Sequence, residues 1–153
     1  MKVAIVGGHL SPALAVAEKL KDQEVFYIGR KYTFEGDMGI SLESQEMEKL
    51  NVPFFDLKTA RLQRKFTKHT LPSLLKFPAG FIQAYKILIK IKPDVVLGFG
   101  GYLFLPVALA AKLLKIPVVV HEQTLEAGFT NKFVSKFAKK ICLSWESSKK
   151  YFP

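Results

Sequence analysis

Apolar positions along the chain fall into two alternating rhythms. Short β-branched or aromatic runs occur at Val3–Val6, Val25–Ile28, Phe54–Leu57, Val95–Gly98, Val118–His121 and Lys140–Ser144. Their apolar character at successive positions predicts strands buried on both faces. Between most of them, apolar residues recur at helical spacing, over Pro12–Lys21, Ser44–Leu50, Ser73–Ile91, Leu105–Leu114 and Phe129–Ala138. Strands of this kind separated by helices imply a parallel sheet covered on both sides. The expected fold is α/β, a single Rossmann-like doubly wound parallel sheet of about six strands, forming one domain over residues 1–153. The 17 uncharged residues Val95–Ala111 approach the length of a membrane span. Gly98, Gly100, Gly101 and Pro106 interrupt that stretch, and a strand, a glycine turn and a helix account for it better.

Composition narrows the class. At 153 residues, 49% hydrophobic and 24% charged, the chain matches one packed domain and is too apolar for disorder. The single Cys142 excludes an internal disulfide framework and a cysteine-based zinc site. The opening MKVAIVGG has too short an apolar run for a signal peptide, so a cytoplasmic location is expected. Charge alters the picture more: 23 Lys and Arg against 13 Asp and Glu give a formal +10. Between Asp56 and Asp94 there are nine basic residues and no acidic one. Bulky apolar residues, Phe66, Leu71, Leu74, Leu75, Phe77, Phe81 and Ile82, interleave with them. That mixture favours an anionic membrane surface over a nucleic-acid backbone.

Ligands of doubly wound sheets bind outside the carboxyl ends of the strands. The first strand ends in Gly7-Gly8-His9-Leu10-Ser11-Pro12, with Ser11 expected as N-cap and Pro12 as first helical residue. Backbone N–H groups at this turn offer a seat for phosphate, the alternative being a plain tight turn. The dinucleotide pattern G-x-G-x-x-G is absent, and Arg30 and Lys31 stand where a dehydrogenase carries an acid. The helix dipole at His9 favours a neutral imidazole able to take a proton. The fourth strand ends in a second glycine turn, Gly98-Phe99-Gly100-Gly101-Tyr102, and the fifth in the polar cluster His121-Glu122-Gln123-Thr124, which points to a site, the alternative being that His121 and Glu122 only hydrogen-bond neighbouring loops.

Taken in order, Gly-Gly-His-x-x-Pro-Ala-Leu-Ala-Val-Ala-Glu, Gly-Phe-Gly-Gly-Tyr-x-x-x-Pro-Val, His-Glu-Gln and Thr130-Asn131-Lys132 resemble glycosyltransferase family 28, the MurG-like transferases. These bacterial enzymes move N-acetylglucosamine from UDP-GlcNAc to undecaprenyl-pyrophosphoryl-MurNAc-pentapeptide, converting lipid I into lipid II in peptidoglycan synthesis. The resemblance runs over the whole chain and implies the N-terminal half of a GT-B fold, which binds acceptor and membrane. The C-terminal half, which supplies most of the UDP-GlcNAc pocket, has no counterpart here. The chain is therefore expected to be inactive alone: a truncated protein, a fragment or one subunit of a split enzyme whose donor-binding part is another chain.

By that resemblance His9 is the candidate base. Gly7, Gly8, Gly100, Gly101, Tyr102, His121, Glu122 and Gln123 are candidates for holding the acceptor and its diphosphate. Thr124 and Asn131 are candidate donor-sugar contacts, Asn131 having a helix cap as its alternative. Two departures stand out. The family's Gly-Gly-Thr-Gly-Gly-His is shortened here to Gly7-Gly8-His9, and Thr124 replaces an asparagine. The resemblance implies no cofactor and no metal. Arg61, Arg64, Lys65, Phe66 and Lys68, with Leu71, Leu75 and Phe77, are the expected membrane-association residues. Lys132, Lys136, Lys139 and Lys140 extend that patch if they share its face. The expected location is peripheral, on the cytoplasmic face of the cell membrane. The alternatives are a non-catalytic acceptor-binding subunit that recruits a partner to the membrane and, on charge alone, a nucleic-acid-binding module; no nucleic-acid partner is expected.

Overall fold

The computed structural model describes residues 1–32, 39–59 and 70–153, with the side chains of 70–76 excepted. Six strands alternate with five helices: β1 (Lys2–Val6), α1 (Leu10–Lys19), β2 (Glu24–Gly29), α2 (Leu42–Lys49), β3 (Phe54–Asp56), α3 (Thr70–Ile91), β4 (Val95–Gly98), α4 (Gly101–Leu113), β5 (Val118–Glu122), α5 (Phe129–Ser135) and β6 (Lys140–Leu143), followed by a 3-10 turn over Glu146–Tyr151. All strand pairs are parallel, in the order β3-β2-β1-β4-β5-β6. The order reverses between β1 and β4, which opens a crevice at their carboxyl ends.

Alternation along the strands builds two cores. Val3, Ile5, Val25 and Tyr27 face one side and pack with Ala13 and Ala17 of α1 and Met47 of α2. Ala4, Val6, Ile28, Val96, Val118 and Val120 face the other and pack with α3, α4 and α5. Helix α4 is buried along most of its length because α3 and α5 flank it. The apolar stripe of α3 serves the core at Ala84 and Leu88, with Phe77, Phe81 and Tyr85 half-buried against it. On its other face Lys86 and Lys90 are exposed. Gln83 instead ties the helix to the end of β3, accepting from Lys58 N (3.0 Å) and donating to Asp56 O (2.8 Å).

Several expectations need correction. Helix α1 begins at Leu10 with His9 as N-cap, so Ser11 does not cap it and Pro12 is its third residue. Proline is tolerated there because first-turn N–H groups lack helical partners. Helix α4 starts at Gly101, four residues earlier than its apolar pattern indicates. The left-handed φ of Gly100 (84°) and Gly101 (77°) turns the chain directly from β4 into the helix. Helix α5 stops at Ser135 rather than running to Ala138. Phe77 packs partly into the core and is not surplus surface. Arg61, Arg64, Lys65, Phe66 and Lys68 lie outside the described residues, as do the side chains of Leu71 and Leu75.

Candidate functional site

The two glycine turns meet back to back at the switch point. A Cβ on Gly8 would collide with the Gly100 carbonyl, and one on Gly101 would come within 3.1 Å of Gly8 Cα. Only glycine permits that approach. The Gly100–Gly101 turn and His9, which follows the first turn, border a cleft of about 270 Å³, lined also by Phe99, Tyr102, Gln123, Thr124, Glu126 and Phe129. His9 and Gly8 are exposed, whereas Gly7 and Gly100 are buried. The first turns of α1 and α4 thus direct free N–H groups toward one space, an arrangement suited to an anion.

The opposite wall is organised by Glu122, which is 2% exposed. Its Oε1 accepts from Thr124 N (3.0 Å) and Thr124 Oγ1 (2.6 Å). Its Oε2 accepts from Gly128 N (3.2 Å) and Asn131 Nδ2 (2.9 Å). Burial alone would raise the Glu122 pKa, but the bonds from Thr124, Asn131 and Gly128 outweigh it and hold the carboxyl below its ordinary range. The same loop is held from outside. Trp145 Nε1 donates to Gln123 O (3.2 Å), and Ser148 Oγ sits 2.9 Å from Thr124 O and 3.1 Å from Leu125 O.

This geometry reassigns several candidates. Glu122, Thr124 and Asn131 border the cleft, where Glu122 bonds Thr124 and the Asn131 Nδ2 while the buried Asn131 Oδ1 has no partner among the described residues. Asn131 is no cap: Gly128 occupies that position, and the Asn131 amide also donates to His121 O (3.2 Å). A Cβ on Gly100 would come within 3.2 Å of that amide, so Asn131 links the β5 loop to the second glycine turn. His121 lies behind the cleft, its ring 5.2 Å from Phe99 and its Nε2 3.4 Å from Ser144 Oγ. Burial lowers the His121 pKa against the opposing effects of Gln123 and Glu122.

Beyond the first turn a second acid behaves differently. Glu43 of α2 places its carboxyl with the Tyr27 hydroxyl against Gly7 and Gly29. Burial raises the Glu43 pKa despite the Tyr27 hydroxyl, the Arg30 backbone and the Arg30 charge. Burial likewise pushes the Tyr27 phenol far up.

Residues missed in the sequence are Glu126 and Phe129 in the cleft and an aromatic ridge on α5. Phe129 and Phe133 stack at 6.4 Å, and Phe133 meets Phe137 edge-on at 6.2 Å. Their spacing of four along a helix was a readable signal. The Ser148 clamp carried none, because no periodicity marks its 3-10 turn.

A single parallel sheet with glycine turns at its switch point is a Rossmann-like architecture that places a ligand site at the strands' carboxyl ends. The sequence profile of the glycosyltransferase family 28 N-terminal domain matches residues 6–143, and the chain belongs to that family. It is 38% identical over 159 residues to the UDP-N-acetylglucosamine–N-acetylmuramyl-(pentapeptide) pyrophosphoryl-undecaprenol N-acetylglucosamine transferase of Natranaerobius thermophilus, covering 99% of this chain and 41% of that protein. The enzyme of the same description from Bacillus subtilis is 34% identical over 161 residues, covering 100% of this chain and 42% of the relative. The crystal structure of Acinetobacter baumannii MurG superposes with a TM-score of 0.76 at 32% identity, covering 99% of this chain and 43% of that one. A UDP-GlcNAc 2-epimerase from Neisseria meningitidis shares the fold at 20% identity and a TM-score of 0.66, covering 99% of this chain and 42% of that one. The chain therefore spans about two fifths of the length of the relatives it matches.

Proposed function

We propose that this chain is the acceptor- and membrane-binding part of a MurG-type transferase that moves GlcNAc from UDP-GlcNAc to undecaprenyl-pyrophosphoryl-MurNAc-pentapeptide. The observation that carries this reading is the pair of glycine turns closing on one cleft beside His9. In an inverting transfer the acceptor hydroxyl forms a bond to the anomeric carbon as the bond to UDP breaks. The hydroxyl proton passes to a base, and N–H dipoles or cations offset the phosphate charge. His9, exposed at the N-cap of α1, is the proposed base. The N–H groups of Gly8 and of Gly100–Gly101 would hold the acceptor's diphosphate, the Gly7 N–H being donated to Ile28 O (2.8 Å), while Tyr102 and Gln123 would orient its sugar. Glu122, Thr124 and Asn131 act as positioning residues, since Glu122 bonds Thr124 in its own loop and the Asn131 Nδ2 of α5. Most of the donor pocket is assigned to sequence outside this chain, so transfer requires that part.

Membrane attachment is proposed to be peripheral. No helix among the described residues is long and apolar enough to cross a bilayer. Helices α3, α4 and α5 pack side by side on one face of the sheet, which brings the α5 ridge to the side that the basic tract leads into. Phe129 and Phe133 are exposed there, with Lys132 and Lys136 exposed beside them and Lys112 Nζ 4.6 Å over the Phe137 ring. Lys139 and Lys140 sit at the start of β6, the end of the sheet away from the cleft. Each basic residue near an anionic surface adds about 1 kcal/mol, and salt screens that attraction.

Co-sedimentation with anionic vesicles, with and without lipid I across a salt series, tests the reading. The expected result is tighter binding with lipid I that survives moderate salt. Binding that ignores lipid I and vanishes with salt would leave only a basic surface.

A further inference from the structure

The cleft lining contains acidic residues and glycine turns but, among the described residues, no lysine or arginine. A diphosphate bound there carries formal charge on both phosphates, and helix N-termini supply only partial charges. One guanidinium stands at the rim. Arg30 directly follows β2, which runs parallel beside β1 with Val6 paired to Ile28. Its Nη1 lies 3.5 Å from Tyr102 Oη, a residue of the cleft wall at the start of α4. Arg30 thus follows the strand beside the first glycine turn and reaches the residue after the second.

Arg30 is half-buried, and among the described residues no carboxylate lies within ion-pair distance. The nearest acid, Glu43, has a raised pKa and faces Tyr27 and the glycines, with Arg30 the charged group acting on it. The backbone around Arg30 is fixed from both sides. Its carbonyl accepts from Ser41 Oγ, Lys31 O accepts from Ser41 N (2.7 Å), and Lys31 N donates to Asp56 Oδ1 (2.9 Å). A planar donor fork on a rigid backbone beside two anion-accepting turns is the arrangement that reads a phosphate bidentately.

We propose that Arg30 is the cationic clamp for the diphosphate of the lipid-linked acceptor, completing with its guanidinium the site that the Gly7–Gly8 and Gly100–Gly101 turns begin. The inference rests on the acceptor reading given above and names the residue that supplies its charge. Tyr102 orients the guanidinium from beside the second turn.

Titration of the isotope-labelled chain with inorganic pyrophosphate, geranyl diphosphate and UDP-GlcNAc, followed by amide shifts of Gly7, Gly8, Gly100 and Gly101, tests it. The first two ligands should move those amides. Arg30→Gln should weaken both about tenfold or more, the scale of a charge-assisted bond, with the unbound spectrum otherwise retained. Arg30→Lys should recover part of the loss, because an ammonium keeps the charge without the fork. UDP-GlcNAc should be indifferent to the substitution. Unchanged affinity in Arg30→Gln would overturn this inference and leave the acceptor reading standing. Equal weakening of UDP-GlcNAc would overturn the assignment to the acceptor. Failure of the unaltered chain to bind either diphosphate would overturn the acceptor reading and this inference together.

Discussion

The cleft wall after β5 contains a buried glutamate, Glu122, a second, Glu43, lies behind the first glycine turn, and their pKa values move in opposite directions. Glu122 after β5 receives four hydrogen bonds from Thr124, Gly128 and Asn131, and its pKa is lowered. Glu43 beside β2 sits against Gly7, Gly29 and the Tyr27 ring, and its pKa is raised. Burial opposes ionisation at both. The number of donors brought to the carboxylate decides the outcome. The β5 wall is consequently a closed, charge-satisfied frame, while the β1–β2 side carries a half-buried guanidinium that, among the described residues, has no ion-pair partner.

That contrast can be broken by substitution. The largest effect is expected from Glu122→Leu, which orphans the Gly128 and Thr124 N–H groups and the Asn131 amide. A loss on the order of 3 kcal/mol or more should appear in urea unfolding, whereas Glu43→Leu should cost visibly less. Gly8→Ala should follow, at about 1–3 kcal/mol, because its methyl drives the two glycine turns apart. The same variant should lose the amide shifts induced by pyrophosphate.

Acidity sharpens the comparison. A lowered folded pKa makes Glu122 contribute stability that is present above its unfolded pKa and lost as pH falls through the folded value. A raised folded pKa gives Glu43 the reverse sign: stability present at low pH is lost as pH rises through the folded value. Melting temperatures from acid to neutral pH should therefore show Glu122→Gln flattening the acid limb. Glu43→Gln should remove a loss on the neutral side. The smallest expected effect is Thr124→Val, about 1 kcal/mol for one hydroxyl bond, read from the same melts.

Much of this architecture was legible before the coordinates. Doubly apolar strand runs with helices between them specify a parallel sheet, because each face must be covered. The start of α4 was not legible, since Gly100 and Gly101 read as a turn that keeps the helix at a distance. Their left-handed φ instead lets the helix begin at once. Polar residues after β5 did mark a site, but their division of labour depends on Asn131 reaching back nine residues to Glu122. Arg30 excluded a dehydrogenase by its position alone. Its place at the cleft depends on Tyr102, 72 residues further along the chain, which no local pattern encodes.

Hydrogen–deuterium exchange of the chain on anionic vesicles, with and without lipid I, tests the central claim most directly. The account predicts that lipid I protects residues 7–9, 99–103 and 121–131, beyond whatever the vesicle surface alone protects. Protection confined to α3 and the α5 ridge, with both glycine turns exchanging as they do without lipid I, would contradict it.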